Sequence, residues 1–170
     1  MLLRPASPGD ALAVARVHVR AWQHGYRGLL PDDYLNQLRP EDRASKYDLS
    51  NLDPLHPHTV VAVDGNRGNV VVGFATTAPS REPDLPHHGE LTALYVDPDR
   101  WGLGIGGALV SAARAHLVSL GRRQAYLFTL VGNLRAQRFY QSDLWSTDGL
   151  RRAETVWNIP VDVLRFQRTL

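Results

Sequence analysis

The chain has no cysteine, one lysine among its basic residues and one methionine. Without thiols there is no disulfide, no thiolate zinc site and no cysteine nucleophile, so any group transfer goes directly or through another residue type. No apolar run approaches the roughly 20 residues needed to span a bilayer, and the first residues, MLLRPASPGD, lack the long apolar core of a signal peptide. These absences predict a cytoplasmic protein without a membrane partner. Low-complexity tracts are missing too, and 170 residues at 44% hydrophobic and 21% charged match one globular domain, 1–170, burying roughly 70% of its extended surface. Acidic residues are absent between Asp99 and Asp143. That stretch holds Arg100, Arg114, Arg122, Arg123, Arg135 and Arg138, a positive region suited to a phosphate-rich ligand. Nothing in the chain matches a helix-turn-helix, zinc finger or RNA-recognition signature, so nucleic acid is not an expected partner.

The acid-free stretch follows the most patterned segment, Glu90 to Leu109, ELTALYVDPDRWGLGIGGAL. Leu91, Ala93 and Tyr95 alternate with Thr92, Leu94 and Val96, the pattern of a central strand buried on both sides. Asp97, Pro98 and Asp99 end it. Gly102, Gly104, Gly106 and Gly107 come next, and from Ile105 the residues Ala108, Leu109, Ala112, His116 and Leu120 fall at helical spacing. Glycines at a helix start let an anion approach unpartnered N–H groups at the positive end of the helix dipole.

Gly102, Gly104 and Gly107 also satisfy the spacing of a dinucleotide loop. Such a loop needs an acidic residue about twenty positions later to hold the ribose, and none is present. A P-loop needs lysine and Ser/Thr where Ala108 and Leu109 stand.

The strand, turn and glycine cluster resemble the GNAT superfamily of N-acyltransferases, with Gly104, Ile105 and Gly106 on its Gln/Arg-x-x-Gly-x-Gly/Ala loop and Trp101 where Gln or Arg is usual. Further on, Asn133, Ala136, Phe139 and Tyr140 resemble the family's Asn-x-x-Ala-x-x-Phe-Tyr segment; the glycine usual four residues later is Leu144 here. Near the start, Trp22, Tyr26, Arg27 and Gly28 resemble a Trp-x-x-x-Tyr-Arg-Gly segment. The likeness covers most of the chain and is most specific from Glu90 to Tyr140.

The resemblance implies an α/β fold of α+β type, a mixed, mostly antiparallel sheet of six to seven strands flanked by helices. It implies acetyl-CoA as acyl donor, held by Leu94, Tyr95, Val96, Trp101, Gly102, Leu103, Gly104, Ile105, Gly106, Gly107, Asn133, Ala136 and Tyr140. Trp22, Tyr26 and Tyr34 are then acceptor-pocket candidates, though aromatics at helical spacing serve equally as core. Partners would be a small-molecule or peptide amine, and a homodimer is compatible with the pattern.

The expected reaction is attack of a primary amine on the thioester. A lysine-like amine has a pKa of ~10.4, so presenting it neutral at pH 7 costs about 4 to 5 kcal/mol without a base. Glu90, acting through a water if needed, is the first candidate, with His87 and His88 competing. Strand N–H groups around Tyr95 and Val96 would hold the oxyanion, and Tyr140 would protonate the thiolate. Glu82, Asp84 and Glu90 would favour a cationic acceptor. A non-catalytic acyl-CoA sensor of the same fold is the competing class.

Elsewhere, Leu2 to Ala6 read as a strand, and Asp10 as the N-cap of a helix carrying Leu12, Ala15, Val19 and Trp22 to the core. Arg39 to Leu49 read as helical or irregular. His56 and His58 sit in a loop with no third metal ligand nearby. Val60–Val63 and Val70–Thr77 flank a hairpin signal, DGNRGN. Gly121 marks a helix end, Ala125 to Leu130 a strand, Asn133 a helix cap, and the segment through Trp145, Trp157 and Val161 to Phe166 the last strands. Asp143 is a candidate for the backbone role of the family glycine.

Overall fold

The computed structural model describes all residues except Leu52, Pro54, Asn66 and Arg67. Seven strands form one sheet: β1 (Leu2–Pro5), β2 (His58–Asp64), β3 (Val70–Pro79), β4 (Gly89–Val96), β5 (Gln124–Leu130), β6 (Ser146–Val156) and β7 (Ile159–Thr169). Their order is β1-β2-β3-β4-β5-β7-β6, and every neighbouring pair is antiparallel except β4 and β5. The helices are α1 (Ala11–Gly25), α2 (Asp32–Gln37), α3 (Pro40–Ala44), α4 (Ile105–Ser119) and α5 (Leu134–Ser142). The hairpin signal between β2 and β3 falls partly on Asn66 and Arg67, outside the described residues.

Alternation along the strands sends their apolar residues to the two faces of the sheet. Val61, Val63 and Phe74 pack with Val14 and Val17 of α1. Ala62, Val72 and Ala75 face the other way, against Ile105, Leu109, Ala113 and Leu117 of α4. Two strand glycines let α4 settle closely: a Cβ at Gly73 would lie 2.9 Å from Leu109 Cδ1, and one at Gly89 would lie 2.5 Å from Leu117 Cδ2. On α1, Ala15, Val19 and Trp22 are buried as the spacing predicts. Leu12 is at the surface, and His18 takes a core position instead. Asp10 does not cap α1 with its side chain; its carboxylate accepts from Arg4 at 2.7 and 2.8 Å and from the Ser7 backbone N–H at 2.7 Å.

The sheet opens at its centre. β4 and β5 are paired only at Gly89–Ala125 and Glu90–Tyr126. β4 carries a bulge beside Thr92, where the register with β3 shifts between Thr76 and Thr77. Its first three residues are buried, Thr92 is exposed, and Ala93 to Val96 are half-buried. The expectation of a strand buried on both sides along its length therefore fails after Leu91, because the parallel neighbour has moved away.

Candidate active site

The gap between β4 and β5 is a cleft with a cavity of about 650 Å³, lined by β4, by Phe128 to Leu130 of β5, by α1 and by the β6–β7 turn. A second cavity of about 360 Å³ lies at the start of α4. The two share Leu94, Val96, Trp101, Arg135, Ala136 and Tyr140 on their walls. A long ligand laid across the α4 N-terminus would thus reach the cleft past Tyr140.

The register decides which β4 groups face the gap. Asp97 N–H donates to Val72 at 2.9 Å, so two residues earlier Tyr95 sits in the hydrogen-bonded pair with Phe74. Leu94 and Val96 then turn their N–H and C=O groups toward the opened side. Of the two expected oxyanion donors, Val96 N–H therefore faces the gap, whereas Tyr95 N–H is committed to β3. The Val96 carbonyl accepts from Trp101 Nε1 at 2.8 Å, and the Arg135 guanidinium lies 3.3 Å from the Trp101 ring centroid.

At the start of α4, Gly102 and Gly104 have φ of 79° and 77°, values that glycine reaches without the Cβ penalty. Gly104 takes the N-cap position. Gly106 has φ in the ordinary range, and a Cβ there would stand 3.3 Å from Phe139 Cε2, so α5 packs against the first turn of α4. Leu103 is exposed and does not line this cavity, whereas Gly102, Gly104, Ile105, Gly106 and Gly107 do. Of the six arginines in the acid-free stretch, Arg100 and Arg135 reach the cradle. Arg100 also pairs with Asp64 at 2.9 Å.

Glu90 is 4% exposed at the paired end of the cleft. Arg81 Nε and Nη2 donate to it at 3.0 and 2.8 Å, and Tyr126 Oη donates at 3.0 Å. A carboxylate offers about four acceptor sites, so three donors leave room for one more. Burial pushes the Tyr126 hydroxyl up from its ordinary value, keeping it a donor. His87 and His88 do not line the cleft; burial, then Arg165, lowers His88.

Tyr140, 8% exposed, lines both cavities, and its hydroxyl has no hydrogen-bond partner among the described residues. Burial, then Tyr95, pushes it well above the ordinary phenol value. Asn133 caps α5, its Oδ1 accepting from Ala136 N–H at 3.2 Å. Leu144, not Asp143, takes the left-handed conformation after α5, with φ of 62°, and Trp145 N–H closes the helix end on the Tyr140 carbonyl at 3.0 Å.

Trp22 and Tyr26 line the cleft, the Tyr26 and Tyr95 hydroxyls 3.3 Å apart. Tyr34 is not on its wall. It donates to the Trp157 carbonyl at 2.7 Å and so holds the β6–β7 turn. Trp157 and Asn158 both have positive φ, 53° and 64°, as a two-residue hairpin requires. Sequence reasoning missed Arg43, Arg81, Tyr126 and Trp157. Two residues between two β-rich runs signalled the turn; Arg43 on α3 meets the Trp157 ring only in the folded chain, and Arg81, nine residues before Glu90 in the loop between β3 and β4, had no spacing pattern to mark it.

A profile of the acetyltransferase (GNAT) family matches residues 20–144, and the chain belongs to that family. It is an acyltransferase of that family. An uncharacterized N-acetyltransferase of Bacillus subtilis, YuaI, is 29% identical over 77% of this chain and 72% of its own. The mycothiol acetyltransferase of Actinosynnema mirum is 34% identical over 81% of this chain, which spans only 42% of that relative. The structure of PaiA N-acetyltransferase from Thermoplasma acidophilum in complex with coenzyme A superposes with a TM-score of 0.72, covering 99% of this chain and 98% of that one at 18% identity. Among the described residues no helix is long and apolar enough to cross a membrane, and no group of three or more His, Cys, Asp or Glu side chains is placed to hold a metal.

Proposed function

We propose that the protein acetylates a primary amine by direct attack of the amine on acetyl-CoA in the gap between β4 and β5. The observation that carries this reading is that gap: Glu90 at its paired end, Leu94 and Val96 amides along its wall, and Tyr140 where the two cavities meet.

The diphosphate of the donor rests on Gly102 to Gly107, where unpartnered N–H groups and the helix dipole favour negative charge. Its acyl arm runs along the opened edge of β4. Glu90 accepts the amine proton through a water at its remaining site, the nitrogen attacks, and the Leu94 and Val96 N–H groups receive the charge that forms on the carbonyl oxygen. Tyr140, protonated throughout the neutral range, gives its proton to the departing thiolate. With no cysteine in the chain, no acyl-cysteine step intervenes. The whole runs within one domain, 1–170.

Thiol release from acetyl-CoA, followed over a panel of primary amines with wild-type protein and Tyr140→Phe, tests the reading. Amine-dependent release that falls in the variant supports it. Tight acetyl-CoA binding with no release on any amine would instead favour a sensor.

A further inference from the structure

The acceptor end of the cleft looks acidic in sequence, yet its carboxylates are not free. Glu82 accepts from both Arg152 Nη atoms at 2.7 Å, and Glu154 from Arg152 at 2.6 and 2.8 Å. Glu90 is held by Arg81, and Asp84 by Arg165 at 2.7 Å. The sequence expectation that these acids would draw a cationic acceptor is therefore offset by arginines from β6, from β7 and from the loop between β3 and β4.

The one cavity-lining cation at this end with no carboxylate partner among the described residues is Arg43. It rises from α3 into a nest of rings, its guanidinium carbon 4.2 Å from the Trp157 ring centroid and 5.4 Å from that of Tyr47. Its Nε is buried without a hydrogen-bond partner. Trp22 Nε1 is buried and unpartnered in the same way, and the Trp22 ring, 2% exposed, stacks on Trp157 at 3.9 Å and 13°. Arg43, Trp22 and Trp157 all line the cavity that holds Glu90. Neither buried nitrogen is open to the cavity, so what an occupant meets is the rest of the Arg43 guanidinium, which no carboxylate among the described residues neutralises, and a guanidinium matches a planar carboxylate best.

We propose that the amine acceptor also carries a carboxylate, seated on the Arg43 guanidinium beside the Trp157 ring, so that the substrate class is amino-acid-like. This rests on the acyltransferase reading and deepens it. The reaction balances without a redox partner: the amine nitrogen bonds to the acetyl carbon, the carbon–sulfur bond breaks, the amine proton goes to the Glu90 relay, and the thiolate takes a proton from Tyr140. The carboxylate stays intact and serves only to hold the amine toward Glu90.

The test is acetyl-CoA-dependent thiol release over the common L-amino acids, each beside its carboxamide and its decarboxylated amine, for wild type, Arg43→Gln and Arg43→Lys. For the preferred amino acid, kcat/KM should exceed that of its uncharged analogues by on the order of 10- to 100-fold. Arg43→Gln should erase that ratio, chiefly through KM, while acetyl-CoA affinity measured separately stays within about twofold, which also reports a folded protein; Arg43→Lys should restore part of it. Equal use of acids and analogues, survival of the preference in Arg43→Gln, or turnover confined to amines without an anionic group would overturn the proposal. Acetyl-CoA binding with no member of the panel acetylated would overturn it too, leaving the donor site standing. Absence of acetyl-CoA binding would bring down the acyltransferase reading itself.

Discussion

Glu90 and Tyr126 are the last residues through which β4 and β5 pair, and the Tyr126 hydroxyl also donates to Glu90 at 3.0 Å. The same two residues thus close the sheet and hold the proposed base at the point where it opens. Glu90→Gln should lower kcat by about 10²- to 10⁴-fold, the range of a lost general base, and Tyr126→Phe by a smaller factor. Steady-state thiol release measures both. A Glu90→Gln enzyme of near wild-type activity with a lowered melting temperature would mark the residue as a structural partner of Arg81.

Tyr140→Phe should reduce kcat about 10²-fold or more with acetyl-CoA affinity within about twofold, because the ring keeps its place beside Phe139 and Trp145. Equal loss in affinity and turnover would make the phenol a binding group.

Gly107 separates cofactor binding from folding. It lies in the first turn of α4, its φ is not positive, and a Cβ there would meet nothing within 4 Å. Gly107→Ala should therefore stabilise the fold by up to about 1 kcal/mol, while calorimetry shows weakened acetyl-CoA binding if the ligand phosphates rest on that backbone. Unchanged affinity would remove Gly107 from the cradle. Gly104→Val is less clean, since φ of 77° strains any side chain there.

Leu144, 76% exposed, sits in the left-handed region with φ of 62°. A non-glycine residue there costs about 1 to 2 kcal/mol. Leu144→Gly should raise the urea midpoint by a corresponding amount and leave turnover alone; an unchanged or lower midpoint would show that Leu144 is not strained.

His18 is buried, its Nδ1 hydrogen-bonded to the Tyr47 hydroxyl, and burial, then the Arg43 cation, holds its pKa well below the ordinary histidine value. The unfolded chain binds a proton near pH 6.5 that the folded chain refuses, so stability should be lost as pH falls below about 6.5. Melting temperature between pH 7.5 and 5 reads this, and His18→Phe should flatten the slope. A slope unchanged in His18→Phe would assign it to other groups, His58 and His116 first, which stack at 4.0 Å and are both lowered by burial.

Local chemistry was legible in the chain and long-range pairing was not. The glycine run, the Asn133 cap and the Gly121 helix end are decided by neighbours in sequence, and each appears where spacing predicts. The opening of β4 from β5 depends on a bulge beside Thr92 and on where a distant strand lies, so the apolar alternation from Leu91 to Val96 read as a fully buried strand. Charge was misread for the same reason. Glu82 looked like a lure for a cation because Arg152, seventy positions later, neutralises it only once β6 has folded alongside. Tyr34 carried the composition of a pocket aromatic, but its hydroxyl is spent on the Trp157 carbonyl.

The most direct test of the account is amide hydrogen exchange along β4, resolved by NMR, with and without saturating acetyl-CoA. The Tyr95 amide, already paired with Phe74, should change little, whereas the Leu94 and Val96 amides should become strongly protected as the acyl arm enters the gap. Acetyl-CoA bound with Leu94 and Val96 exchanging as in the free protein would place the donor elsewhere and contradict the mechanism.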